Sequence, residues 1–216
     1  QTEFEHEIPM HKGGEIGIDM GIARFATLSN GEFFEPINAF KTYKGKLAKL
    51  QKQLKNKVKF SKNWQKLKEK IGKLHHKIAN CRKDFLHKIS TQISKNHAMI
   101  YVEDLQVANM SKSAKGTVEA HGKNVKQKSG LNRSIRDQSW FEFRRQLDYK
   151  TQWLGGFLVA VPAQNTSRTC PCCGHIAKEN RETQAHFECV ECGYTENADV
   201  VGAMNVFTRG QAIVQA

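Results

Sequence analysis

Cys170-Pro-Cys-Cys173-Gly174 and Cys189-Val-Glu-Cys192-Gly193 are two C-x-x-C-G knuckles with fifteen residues between Cys173 and Cys189. Two cysteine pairs at that spacing can close a tetrahedral site of four thiolates, the arrangement that holds a structural Zn2+. The expected ligands are Cys170, Cys173, Cys189 and Cys192; Cys172 falls outside the repeated pattern. A glycine after the second cysteine of each pair lets the chain turn tightly, so that backbone N–H groups face the sulfurs. The redox reading is weaker, because a thioredoxin-like dithiol has a single C-x-x-C in another context. With all four positions filled by protein, such an ion holds the fold and performs no chemistry.

Outward from the cysteines the pattern alternates between strand and helix. On the carboxyl side, Asp199 to Phe207 carries a helical apolar stripe (Val200, Ala203, Met204, Phe207) that begins at an acidic residue. On the amino side, Phe157 to Val161 reads as a buried strand before Pro162, and Trp140 to Trp153 as a helix ended by Gly155-Gly156. Ala98 to Val102 is another buried strand, closed by Glu103-Asp104. Glu15-Ile-Gly-Ile-Asp-Met20, Ala23 to Leu28, the Asn30-Gly31 turn and Phe33-Phe34 predict short strands joined by a hairpin. Leu47, Leu50, Leu54 and Val58, then Leu67, Ile71, Leu74, Ile78, Cys81, Phe85, Ile89 and Ile93 recur every three or four residues and predict two amphipathic helices. Residues 106–134 lack such a period and are expected to form a mobile basic loop. The fold class is α/β, and a chain of 216 residues is most simply read as building one core.

Charge separates along the chain. The whole carries 34 Lys and Arg against 21 Asp and Glu, a net +13, which points to a polyanionic partner such as nucleic acid. Residues 41–96 alone hold 18 basic side chains against Glu69 and Asp84, a local +16, so the remainder is slightly acidic. A charge run is usually a solvated helix face. Here the imbalance would make the lysines repel one another unless phosphates neutralise them, and such contacts give salt-sensitive, sequence-independent affinity. Trp64, His75 and His76 could stack on bases, with hairpin packing the plainer role for Trp64. No apolar run approaches the roughly 20 residues that span a bilayer. A soluble, cytoplasmic protein is expected, in a reducing compartment that suits thiolate ligands. The chain opens on Gln1 and reaches a strand almost at once, which suggests that an amino-terminal portion precedes it.

Three separated carboxylates stand at the ends of predicted core elements. Asp19 lies in Gly17-Ile-Asp-Met-Gly21, Glu103 closes a strand, and Asp199 opens a helix. Phosphodiester hydrolysis by a metal pair needs several carboxylates converging on two cations roughly 4 Å apart. Mg2+ favours a few carboxylates completed by water and phosphate. The same residues can be read as a turn residue, a strand-end charge and a helix N-terminal acid held by the dipole. Pattern alone leaves both readings open.

In chain order, Gly17-Ile-Asp-Met-Gly21, Val102-Glu-Asp-Leu105, Lys128-Ser-Gly-Leu-Asn-Arg-Ser-Ile135, Ser139-Trp140, Thr166-Ser-Arg-Thr-Cys-Pro-Cys-Cys-Gly174 and the Asp199 helix resemble TnpB. This is the OrfB protein of small bacterial insertion sequences, related to the compact type V CRISPR nucleases. The resemblance covers nearly the whole chain. It implies an RNase H-like (RuvC) fold over residues 1–165 and 197–216, with a basic helical hairpin inserted at 41–96. A zinc ribbon that contacts target nucleic acid would occupy 166–196. It further implies an RNA-guided DNA endonuclease, a bacterial and nucleoid-associated protein whose partners are a guide RNA and a target DNA. Asp19, Glu103 and Asp199 would be Mg2+ ligands, and Arg168 would match a polar or basic position near the scissile phosphate.

The chain departs from the family in its last motif, which usually reads Asp-x-Asn-Ala-Ala-x-Asn. Here it is Asp199-Val-Val-Gly-Ala-Met-Asn205, with Val201 and Gly202 replacing Asn and Ala and with Asn205 retained. Some relatives have lost cleavage and act as RNA-guided repressors, so a nuclease-inactive DNA-binding protein is the main alternative. A strand-joining transposase, with a similar acidic triad, is less favoured by a ribbon immediately before the third carboxylate. All three carboxylates survive, which favours the cleaving form.

Overall fold

In the computed structural model, which describes residues 10–215, the stretch around Asp19 becomes strand β1, Gly14–Asp19. It pairs antiparallel with β2, Ala26–Leu28, which pairs antiparallel with β3, Phe33–Phe34. On its other side β1 runs parallel to β4, His97–Glu103, and β4 runs parallel to β5, Phe157–Val161. The sheet order is therefore β3-β2-β1-β4-β5, the RNase H-like arrangement of an antiparallel meander continued by parallel strands. Ile16, Ile18, Ile100 and Val102 are buried on the two central strands, as strands covered on both faces require.

The chain divides into two compact units rather than the single core expected from its length. The first takes in the chain up to Pro36, Lys88–Val107 and Trp140 onward; the second takes in Ile37–His87 and Ala108–Ser139. In the first unit, helix α6, Ala198–Gln215, lies across β1. Gly17 is the contact: a Cβ there would stand 2.4 Å from the Ala203 carbonyl oxygen and 2.6 Å from the Phe207 nitrogen. The first glycine of the G-x-D-x-G stretch thus lets the helix approach the strand that carries Asp19. Helix α5, Trp140–Trp153, buries Phe143 and Leu147, with Phe143 edge-on to Phe25 at 4.9 Å. A polar seam joins α5 to the end of α2, Lys62–Asn96: Ser90 donates to Gln146 Oε1 and Ser94 bonds to Thr151, both at 3.0 Å. Strands β6, His186–Glu188, and β7, Thr195–Asn197, make the two-stranded ribbon.

The second unit holds α1, Ala39–Lys55, and the first part of α2, packed through Ala39, Leu47, Leu74 and Ile78 with Leu50 and Ile71 beside them. These are the apolar positions that recur every three or four residues. Helix α1 has no acidic residue in its first turn and no side-chain cap from Asn38. Asp137 supplies the cap instead, accepting from the backbone N–H of Phe40 at 2.9 Å and of Lys41 at 3.3 Å. The loop expected over residues 106–134 is partly helical: α3 covers Val107–Met110 and α4 covers Val125–Gln138, with irregular chain between them. Helix α4 escapes a periodicity reading because polar contacts fix it. Lys128 Nζ donates to the Met110 carbonyl at 2.7 Å, and Asn132 Nδ2 to the carbonyls of Ser111 and Lys112 at 2.9 and 3.0 Å. No described helix is long and apolar enough to cross a membrane.

Candidate active site and four-cysteine centre

Ile18 of β1 sits opposite Val102 of β4, so the next residues, Asp19 and Glu103, leave the same end of two neighbouring parallel strands. Asp199 occupies the first turn of α6. Its backbone N–H donates to Asn197 Oδ1 at 3.1 Å, and Arg24 donates to the same oxygen at 3.4 Å, which fixes the start of the helix. One turn on, a Cβ at Gly202 would lie 3.1 Å from Asp19 Cγ and 3.2 Å from Oδ2. The helix is bare where the Asp19 carboxylate meets it. Glu103 is buried and accepts from Thr166 Oγ1 at 2.5 Å. Asn205 Nδ2 donates to the carbonyls of Thr166 and Thr169, each at 2.7 Å, so the retained asparagine of the last motif holds the segment that holds Glu103.

Burial pushes the Asp19 carboxyl up to about 8, and the charges of Glu103 and Asp199 push the same way against Arg181 and the Met20 N–H. Burial also raises Glu103, opposed by the Thr166 hydrogen bond and by Arg209 and Arg181. Burial thus opposes ionisation of Asp19 and Glu103 unless a cation stands beside them. Arg181 provides part of one: its Nη2 lies 3.3 Å from Asp199 Oδ1 and also donates to the Gln184 carbonyl at 2.9 Å. Arg168 is exposed; its backbone N–H bonds to Asn165 and its carbonyl accepts from Asn180, while its side chain has no bond among the described residues. Arg181 and Arg209 have no motif around them and gave no signal in the sequence. They reach the carboxylates only because the ribbon and α6 fold against one end of the sheet.

The cysteine knuckles fold as mirrored halves. Cys170 N–H bonds to the His175 carbonyl and Cys189 N–H to the Tyr194 carbonyl, both at 2.9 Å. Gly174 and Gly193 return to the carbonyls of Cys170 and Cys189, again at 2.9 Å, with φ of 76° and 71°. That left-handed conformation is what the glycine after each pair permits. The four sulfurs of Cys170, Cys173, Cys189 and Cys192 lie within 4.8 Å of one another. Cys170 to Cys192 and Cys173 to Cys189 are both 3.6 Å, close to the roughly 3.8 Å edge that Zn–S bonds of about 2.3 Å impose on a tetrahedron. Among the described residues they are the only set of three or more His, Cys, Asp or Glu side chains gathered so closely. Burial works to raise the Cys189 thiol, but the backbone N–H groups of Cys192 and Glu191 and the thiols of Cys170 and Cys173 outweigh it, bringing it down to about 6. Buried Asn180, unremarked in the sequence, ties the ribbon together: it donates to the carbonyls of Arg168 and His175 and accepts from Val190. Cys170, Cys189 and Phe187 share one apolar cluster with Ala198 and Val201 of α6. Val201, the departure from the family motif, is therefore a packing residue between ribbon and helix.

This fold, with three acids at one end of the sheet and a four-cysteine ribbon against its last helix, defines the RuvC-type class of nuclease-like α/β proteins with an appended ribbon. Solved structures agree. One described as "Cryo-EM structure of the Cas12f1-sgRNA-target DNA complex" matches with a TM-score of 0.59 at 21% identity, covering 94% of this chain and 51% of the other. Residues 1–114 match the family model OrfB_IS605, "Probable transposase", and residues 140–206 match "Cas12f1-like, TNB domain". The chain belongs to the OrfB_IS605 family. "Putative RNA-guided DNA endonuclease InsQ" of Escherichia coli (strain K12) is 58% identical over 215 residues, which is 99% of this chain and 54% of the relative. "CRISPR-associated endodeoxyribonuclease Cas12f1" of Sulfoacidibacillus thermotolerans is 29% identical over 136 residues, covering 63% of this chain and 29% of the relative. The chain spans about half the length of the curated relatives it matches most fully.

Proposed function

We propose that this chain is the catalytic half of an RNA-guided DNA endonuclease, in which Asp19, Glu103 and Asp199 hold Mg2+ and cut target DNA chosen by a guide RNA. The observation that carries the reading is the Asp19 carboxyl, pushed up to about 8 by burial and by two further acids. A protein keeps such a repulsive set buried where a cation is to neutralise it. The donor chemistry suits Mg2+, and phosphodiester hydrolysis commonly uses two such cations roughly 4 Å apart. When bound there, the pair supplies an activated water and stabilises the departing oxygen. The chain's own part is orientation. Thr166 holds Glu103, Asn205 holds Thr166, and Asn197 fixes the turn that presents Asp199. Arg181 pairs with Asp199, and we assign it, rather than Arg168, the role of orienting Asp199 and balancing charge as substrate arrives; Arg168 is assigned a phosphate contact outside the trio.

Zn2+ is the ion proposed for the four thiols, in a structural role, with a bacterial, nucleoid-associated setting as the corresponding location. The departures at Val201 and Gly202 leave the trio intact, and so the cleaving form is preferred to a repressor. The test co-expresses the full-length protein with its flanking RNA and assays a matched plasmid with Mg2+. Asp19→Ala is expected to abolish cutting, and Arg181→Ala to reduce it about 100-fold or more, with a smaller loss for Arg168→Ala. Guide-dependent binding without cutting in the unsubstituted protein would replace the nuclease by the repressor.

A further inference from the structure

The turn joining α1 to α2 is built to display an aromatic ring. Phe60 sits in the left-handed region at φ 67°, a conformation that strains a bulky residue, and yet it is 68% exposed. Strain at a residue that contributes little to a core calls for another use. The turn around it is firmly held. Ser61 caps α2 by accepting from the Trp64 N–H at 3.2 Å, Ser61 N–H bonds to the Val58 carbonyl at 3.2 Å, and Gln65 Nε2 donates to the Phe60 carbonyl at 3.2 Å. The Phe60 ring rests on Trp64 with centroids 5.4 Å apart. Lys59 Nζ stands 5.1 Å from the Phe60 ring and Lys68 Nζ 5.2 Å from that of Trp64.

At the same end of the hairpin, where α1 ends and α2 begins, an open cavity of about 510 Å³ is lined by Gln53, Asn56, Lys57, Asn63, Lys66, Leu67 and Lys70. It contains no acidic side chain. The first acid along residues 41–96 is Glu69, already paired with Lys73 at 2.7 Å. The hairpin end therefore offers an exposed ring on its turn and, around the hollow, amide groups that can donate or accept and three ammonium groups with no acidic partner among the described residues. An apolar protein partner would leave these lysines desolvated and unpaired. A polyanion that also carries flat apolar faces satisfies both features.

We propose that the hairpin tip is a stacking platform for unpaired nucleotides, with a base on Phe60 and the adjoining phosphates on Lys57, Lys66 and Lys70. The choice of nucleic acid rests on the function proposed above, whereas the stacking geometry stands on the tip alone. RNA and DNA share this chemistry, and the experiment separates them.

The full 216-residue chain is titrated into fluorescein-labelled oligouridine and oligothymidine of about 15 nucleotides, without Mg2+, over a range of salt. Phe60→Ala is expected to weaken binding at least about 5-fold by a factor that does not change with salt, while Phe60→Tyr retains affinity. Joint substitution of Lys57→Ala, Lys66→Ala and Lys70→Ala is expected to flatten the salt slope by about 2. The larger Phe60→Ala effect, on the RNA or on the DNA probe, names the strand that the tip prefers. Equal affinities of Phe60→Ala and the parent for both probes would overturn the platform, as would an effect of Phe60→Ala confined to self-association. Cleavage is not part of the measurement, so a failure here leaves the nuclease reading standing, and a failed cleavage assay leaves the tip standing.

Discussion

Asp19 shows how a single residue can hold stability and function in opposition. Its carboxyl titrates near 3.8 in an unfolded chain and about 8 in the fold. The metal-free folded state therefore binds more protons than the unfolded state between those values. The stability from the protonated form is complete below about 3.8 and is lost as pH rises through about 8. Asp19→Asn removes the charge and keeps the shape. In the absence of Mg2+, its melting temperature is expected to exceed the parent's by about 3 °C or more above pH 8 and to converge with it as pH falls to about 3.8. Mg2+ should raise the parent selectively. A difference between the two proteins that does not vary with pH would sink this account. Asp19 stood out in the sequence as a carboxylate on an apolar strand between glycines, although pattern alone left its role open. Arg181 did not, since an arginine in a polar ribbon is ordinary until folding brings it 3.3 Å from Asp199.

Among the elements, those fixed by apolar periodicity or ligand spacing were legible, and those fixed by polar side chains were not. Strand β5 falls at Phe157–Val161 as its apolar run predicts, and α1 and α2 follow their leucines and isoleucines. The cysteine ribbon was readable because coordination chemistry fixes spacing. Helix α4 carries few apolar positions, and its asparagine, lysine and aspartate bind specific carbonyls and N–H groups that only the folded chain supplies. Asp137→Ala should accordingly cost about 1 to 2 kcal/mol, with hydrogen exchange speeding up at the Phe40 and Lys41 amides first. Unchanged protection there would refute the cap. Metal removal acts on another element. Cys170 and Cys189 pack with Ala198 and Val201, so chelation of the Zn2+ proposed for the four thiols is expected to loosen the first turn of α6 and raise exchange at Asp199, while β1 and β4 stay protected. If exchange rises only between residues 170 and 193, the ribbon is an independent appendage.

At the scale of the whole molecule, charge and chemistry occupy different stretches of chain. Residues 41–96 carry +16, and everything else sums to a slight negative charge. The acids proposed for catalysis lie on β1, β4 and α6, all within the first unit, while most of the basic hairpin belongs to the second. Phosphate neutralisation by exposed lysines contributes equally to ground state and transition state, and uniform binding of that kind changes affinity without changing the chemical step. Converting exposed lysines of α1 to glutamine, with Lys46, Lys49 and Lys52 as examples, is therefore expected to weaken nucleic-acid binding and to lower the salt slope by about one per lysine that meets a phosphate. The single-turnover cleavage rate at saturating protein should stay within about 2-fold of the parent. Substitutions at Asp19 or Glu103 should do the reverse, removing cleavage while leaving most of the salt-dependent affinity in place. Rapid-quench cleavage and equilibrium binding on the same guide-loaded preparations measure both quantities. A lysine set that slowed the saturated rate as much as it weakened binding would mean that the hairpin orients the strand at the carboxylates, and the separation of affinity from chemistry would have to be abandoned.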